Sequence, residues 1–122
     1  MFINISNHPS VRWSRQQRLA AEEYGEIVDL SFPAIPAVAD TKEVADIVNV
    51  YFQKVREYNT CVVMVQGEFV FTHLLVSMLH DAGIRSVAAC TERVVEEAID
   101  EEGNVVKKSE FRFIRFRDYY CD

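Results

Sequence analysis

His8 lies in a polar turn, Asn7-His8-Pro9-Ser10, that follows an apolar opening stretch. An imidazole titrates near neutrality, so it can take or give a proton under physiological conditions. It can equally well hold a turn before Pro9. A second polar turn, Gln66-Gly67-Glu68, links the apolar run Cys61-Val62-Val63-Met64-Val65 to a helical stretch. A helix start presents free N–H groups and a partial positive charge, which suit a phosphate. Gly67 there allows close backbone approach. The alternative is that Gly67 only makes the turn and Glu68 only complements the helix dipole. Thr91-Glu92-Arg93 closes a further apolar run. Arginine offers a planar fork of donors that matches phosphate oxygens, or it pairs with Glu68 or Glu92. Cys90, ending that run, reads as an inert thiol rather than a nucleophile. His73 and His80 sit two helical turns apart, about 10 Å, too far for one metal ion. Neither G-x-G-x-x-G nor a P-loop occurs, and no Ser-His-Asp order stands out. No cofactor and no metal site is expected.

The elements that must carry these residues follow from spacing. Phe2 to Ser6 reads as a strand. Ser14 with Gln17 reads as a capping box, opening a helix to Tyr24 that stops at Gly25. Glu26 to Phe32 reads as a second strand, and Pro33 and Pro36 then hold an extended loop. Asp40 caps a helix whose stripe is Val44, Ile47, Val48, Tyr51, Phe52 and Val55. Cys61 to Val65 is short and rich in β-branched residues, so it reads as a strand buried on both faces. Phe69 to Ala82 is helical and ends at Gly83. Ser86 to Cys90 is the next buried strand. After a break at Thr91-Glu92-Arg93, the segments Arg93 to Ile99 and Val105 to Phe116 read as a hairpin. Phe111 and Phe113 share one parity while Ile114 and Phe116 share the other. That conflict predicts a bulge near Phe113 or burial on both faces. The order predicts one α/β domain over 1–122, a Rossmann-like parallel sheet with flanking helices and a C-terminal β-hairpin. Ligands of such sheets bind at the carboxyl ends of the strands, near the switch in strand order. If the first, third and fourth strands are neighbours, all three polar turns meet in one cleft.

Composition sets limits. The chain has 122 residues, 49% hydrophobic and 26% charged, the balance of an ordinary globule. Its net charge of -6 argues against a binder of long nucleic acid. No apolar run is long enough to span a membrane, and no leader pattern is seen at the N-terminus. Three widely separated cysteines, Cys61, Cys90 and Cys121, read as reduced thiols of a cytoplasmic protein. The segment from Val105 is locally basic through Lys107, Lys108, Arg112, Arg115 and Arg117. It can border an anion or shield a sheet edge.

Three stretches carry a resemblance: Val65-Gln66-Gly67-Glu68-Phe69, Val87 to Val95 with Thr91-Glu92-Arg93 inside it, and Phe111-Arg112-Phe113-Ile114-Arg115-Phe116-Arg117-Asp118-Tyr119. They look like the Q-G-D-F turn, T-T-[KR]-R strand end and F-x-H-V-x-F-R-x-Y tail of a small CRISPR-associated family. That family accompanies type III systems and is related to CARF domains. Asn7-His8 and Trp13-Ser14-Arg15-Gln16-Gln17 resemble its N-H…L-T-x-E-Q opening. Here Glu68 stands in place of Asp, Glu92 in place of Thr or Lys, and Arg112 or Phe113 near an expected His.

The resemblance implies a CARF-like homodimer that binds cyclic oligoadenylate across its two-fold axis and acts as a ring nuclease in antiviral defense. Ring opening without metal can use a ribose 2′-hydroxyl as the internal nucleophile. In that role the catalytic residues are His8, which moves a proton, Arg93, which with the helix start after Gly67 holds charge, and Glu68, while Asn7, Ser10, Gln66, Gly67 and Thr91 hold the ligand. Trp13 stacks an adenine or belongs to the core. The rivals are a sensor that binds the messenger without cutting it and a Rossmann-like interaction protein.

Overall fold

The computed structural model describes residues 1–60 and 62–121. Cys61, expected to open the third strand, and Asp122 lie outside the described residues. The elements are β1 (Phe2–Ser6), α1 (Arg15–Glu22), β2 (Ile27–Ser31), α2 (Thr41–Arg56), β3 (Val62–Gln66), α3 (Phe69–Asp81), β4 (Arg85–Ile99) and β5 (Val105–Asp118). They form one five-stranded sheet in the order β2-β1-β3-β4-β5. The first four strands are parallel, and β5 is antiparallel to β4. This is the Rossmann-like sheet with a C-terminal hairpin that the alternation of apolar runs predicts.

Strand parity sorts the core into two layers. Ile3, Ile5, Val63 and Val65 face α2 and α3 and pack on Val48, Val55, Phe71, Leu75 and Leu79. Phe2, Val62, Met64 and Val87 face the other way, toward Ala21 of α1 and Phe116 of β5. The Val44-to-Val55 stripe is buried as spaced, with Ile47 partly so. Ser14 accepts from Gln17 N at 3.2 Å, and Asp40 accepts from Glu43 N at 2.8 Å. The side chain of Gln17 turns toward Met64 instead of back to Ser14. Only half of the expected capping box therefore forms.

The break expected at Thr91-Glu92-Arg93 does not occur. Strand β4 runs unbroken to Ile99, because β5 pairs with it from Val87↔Asp118 to Ile99↔Val105. The polar residues mimic a loop because the hairpin leaves the body here and meets solvent on both faces. The parity conflict resolves as a bulge: Cys90 pairs with Arg115 and Thr91 with Phe113, leaving Ile114 as the extra residue. Phe113 thereby joins Phe116 on the α1 side, with ring centroids 4.9 Å apart. Beyond the bulge the arm carries Arg93, Val95, Phe111, Ile99 and Val105 on that same face. Its apolar members there are exposed.

At the base of β4, Arg85 Nε and Nη2 donate to Asp118 at 2.6 and 3.1 Å, and Nη1 donates to the Tyr24 hydroxyl at 3.1 Å. The hydrogen bonds from Arg85 hold the Asp118 carboxyl below its ordinary value of 3.8. A depressed carboxyl stabilises the fold fully above that value and loses the contribution as pH falls through its folded pKa. Asp118→Asn is expected to cost less than about 1 kcal/mol at neutral pH, since both groups are half-exposed. It should also flatten the acid limb of the stability curve below about pH 4. Urea melts across pH 2–7 measure this; an acid limb as steep as the parent's refutes it.

Candidate functional site at the carboxyl edge of the sheet

Strands β1, β3 and β4 are neighbours, and the strand order switches between β1 and β3. In an open sheet that is where a crevice forms. The β1 end is built from polar residues set inside apolar strands. Asn4, only 1% exposed, donates from Nδ2 to Asp29 Oδ1 at 2.8 Å and to the His8 carbonyl at 2.9 Å. Its Oδ1 accepts from Ser6 Oγ at 2.7 Å. Asp29 of β2 accepts from Ser10 N at 3.1 Å and from Ser10 Oγ at 2.8 Å. The Ser10 carbonyl accepts from Arg18 Nη2 at 2.6 Å. Trp13 Nε1 donates to the His8 carbonyl at 3.0 Å. Every strand of this network ends on the turn 7–10, so the His8 backbone is fixed while its side chain stays exposed. Beside it a cleft of about 210 Å³ is lined by Asn4, Ser6, Asn7, Pro9, Asp29 and Phe32, among others.

At the β3 end, side chains expected to meet a ligand are engaged with the protein's own backbone. Backbone pairing of β3 with β4 stops at Met64↔Val87. The Gln66 amide continues it, accepting from Ala89 N at 2.9 Å and reaching the Ala89 carbonyl at 3.5 Å. Glu68 caps α3: its carboxylate accepts from Val70 N at 3.0 Å and from Phe71 N at 2.7 Å. The N–H groups expected to cradle a phosphate thus already hold an anion, the protein's own.

Gly67 has a packing reason. A Cβ there would lie 2.3 Å from the Phe32 ring, which is wedged edge-on against Phe71 with centroids 5.0 Å apart. Gly67→Ala is expected to cost about 1–3 kcal/mol, the usual range for forcing atoms into a packed site. Phe32→Leu should return part of that loss. Denaturant melts of the two single variants and the double variant test the pairing; strictly additive losses would disprove it.

The remaining expected residues separate. Arg93 is an exposed arm residue paired with Phe111. It stands four residues past Ala89, about 13 Å further along the strand, and β1 lies two strands away. Arg93 and Thr91 therefore do not converge with His8 inside one chain. Trp13 packs edge-on against Phe2, centroids 6.0 Å apart, and near Phe116. With its N–H bonded to His8, it belongs to the core rather than to an open stacking surface. Ser10 is buried and donates to Asp29. Asn7 remains exposed at the cleft rim. Asn4 and Asp29 are not among the residues expected from the sequence. Their signal is a polar residue at the middle of an apolar strand, in Phe2-Ile3-Asn4-Ile5 and Ile27-Val28-Asp29-Leu30.

Sheet order and connectivity define an open α/β fold with a polar carboxyl edge. The chain matches the Uncharacterized protein MJ1673 family over residues 1–117 and belongs to that family. No curated protein and no solved structure matches it. Among the described residues, no helix is long and apolar enough to cross a membrane.

Proposed function

We propose that the chain is a cytoplasmic, metal-independent ring nuclease of type III CRISPR signalling that works as a homodimer on cyclic oligoadenylate. The observation that carries this reading is His8: an exposed imidazole on a backbone pinned by hydrogen bonds, at the strand-order switch of the sheet. The resemblance of the Gln66-Gly67-Glu68, Thr91-Glu92-Arg93 and Phe111-to-Tyr119 segments supplies the ligand class. In the reaction a ribose 2′-oxygen bonds to the adjacent phosphorus and the bond from phosphorus to the 5′-oxygen breaks. The product ends in a 2′,3′-cyclic phosphate. The proton leaves the 2′-hydroxyl for His8 and returns to the 5′-oxygen.

Arg93 enters this reading through a second copy. A two-stranded ribbon is marginal by itself in water, and the exposed apolar face of the arm favours a partner. A two-fold pair lets each arm carry Arg93 toward the other protomer's carboxyl edge. His8→Ala and Arg93→Ala proteins, each impaired alone, are then expected to regain activity when mixed and allowed to exchange. Mixtures as inactive as the separate variants would remove Arg93 from a shared site.

Incubation of the parent with cyclic tri-, tetra- and hexaadenylate in excess chelator tests the reaction. Linear products ending in a 2′,3′-cyclic phosphate are expected. Activity that needs added magnesium or manganese refutes the metal-free route. A second reading, a sensor that binds without cutting, is favoured by the engagement of Glu68 and Gln66 with α3 and β4. Tight binding without product selects it.

A further inference from the structure

A groove of about 360 Å³ runs between α3 and the chain that follows β5, on the face of the sheet away from α1. It is lined by Phe69, Thr72, His73, Val76, Tyr119 and Tyr120. One wall is made of fixed rings. The Tyr119 hydroxyl donates to the Val65 carbonyl. Tyr120 stacks on His80 with centroids 3.7 Å apart, and its hydroxyl lies 3.3 Å from Ser77 Oγ. Rings already held this way lose little freedom when a ligand arrives.

Phe69, at the first turn of α3, also lines the groove; it is 89% exposed and makes no ring contact among the described residues. A large aromatic so open on the lining of the groove is a stacking surface for a planar group. Thr72 Oγ1 on the same groove is buried without a hydrogen-bond partner among the described residues. Such an oxygen is costly unless something pairs with it.

Charge is supplied from β5. Arg115, Arg117 and Tyr119 alternate along the chain, and Arg117 and Arg115 pair with Ala88 and Cys90 of β4. They therefore belong to the same face of the sheet as Tyr119. Arg117 makes no ion pair among the described residues. It stands two residues from Tyr119, about 7 Å along the strand, within reach of an anionic group on a ligand seated in the groove. Burial, and after it Cys90, raise the Tyr119 phenol above its ordinary value, so the hydroxyl stays a neutral donor and adds no negative charge. Flat aromatic surface with an adjacent unpaired guanidinium is the chemistry that recognises a nucleotide.

We propose that this groove binds a nucleotide, its base stacked on Phe69 at the Tyr119 end of the groove and its phosphate on Arg117. The site needs neither His8 nor a cyclic ligand, so it stands or falls separately from ring cleavage.

Titration of the full chain with adenosine 5′-monophosphate, followed by calorimetry and by NMR shifts, tests it. Adenosine and ribose 5-phosphate serve as the two half-ligands. The monophosphate is expected to bind more tightly than either half. Phe69→Ala should weaken it by roughly one to two decades, the range for loss of one base–aromatic stack. Arg117→Ala should weaken it by about tenfold or more while leaving adenosine unaffected. Both side chains are exposed, so melting temperatures should stay at the parent value. No binding at millimolar monophosphate overturns the proposal. Binding that neither substitution changes, or adenosine binding as tightly as its phosphate, overturns it as well.

Discussion

His8→Ala is expected to lower the single-turnover rate of ring opening by about 10²–10⁴-fold, the usual worth of one positioned general acid–base. Affinity for the ring should stay close to the parent's. The split follows from how the residue is held. The structural hydrogen bonds of His8 run through its backbone, its carbonyl accepting from Asn4 and Trp13. Its backbone N–H donates to Ser6 Oγ at 3.2 Å. Alanine keeps that carbonyl and that N–H, so the turn and the melting temperature should survive. What alanine removes is the imidazole alone. Rapid-quench measurement of the chemical step beside equilibrium binding reads the two effects apart. A His8→Ala protein that cleaves at the parent rate removes His8 from the mechanism. A lower melting temperature with cleavage per folded molecule unchanged makes it a turn residue.

The fold was legible because its signals are redundant. Short β-branched runs, helix caps at Ser14 and Asp40, and a six-residue stripe on α2 all point to one alternation of strands and helices. The parity conflict between Phe113 and Phe116 was legible too, since side chains on a strand alternate without exception unless a residue is inserted. The site was less legible, and the reason is the same in each case. A polar side chain at a strand end has two uses, to meet a ligand or to complete the backbone ladder, and its type does not distinguish them. Gln66 matches a ligand-orienting amide in chemistry, yet the shortness of the β3–β4 ladder recruits it to Ala89. Glu68 looks like a catalytic carboxylate, yet a helix start draws the nearest anion. Gly67 looks like a phosphate turn, and only the position of Phe32, distant in sequence, shows why no side chain fits. Thr91-Glu92-Arg93 fails differently. Polar residues in a projecting ribbon obey strand geometry without the burial pattern that announces a strand.

Phe113→Ala and Phe111→Ala, two residues apart on one face of β5, are expected to differ by several kcal/mol. Phe113 is 4% exposed and Phe111 is 74% exposed. Phe113 is the inward residue beside the bulge and packs on Phe116, which in turn packs on Phe2 with centroids 4.9 Å apart. Its truncation removes a buried ring and leaves a void that the sheet backbone cannot close. That costs about 3–5 kcal/mol in comparable cores. It also frees the base of the arm, so proteolysis should cut the hairpin turn, 100–104, earlier than in the parent. Among the described residues Phe111 has no such packing. At a dilution where the protein is monomeric, its loss should move stability by about 0.5 kcal/mol or less. The homodimer reading adds a concentration dependence. If a second copy covers the arm, Phe111→Ala should become strongly destabilising as the parent associates, because partner-coupled folding scales with protomer concentration. Melts at low and high micromolar protein, paired with sedimentation velocity, decide it. A Phe111→Ala cost that stays small at every concentration, on a protein that sediments as a monomer, removes the arm as a dimer contact. Equal costs for the two variants at high dilution would instead show that the arm's outer face folds against its own body.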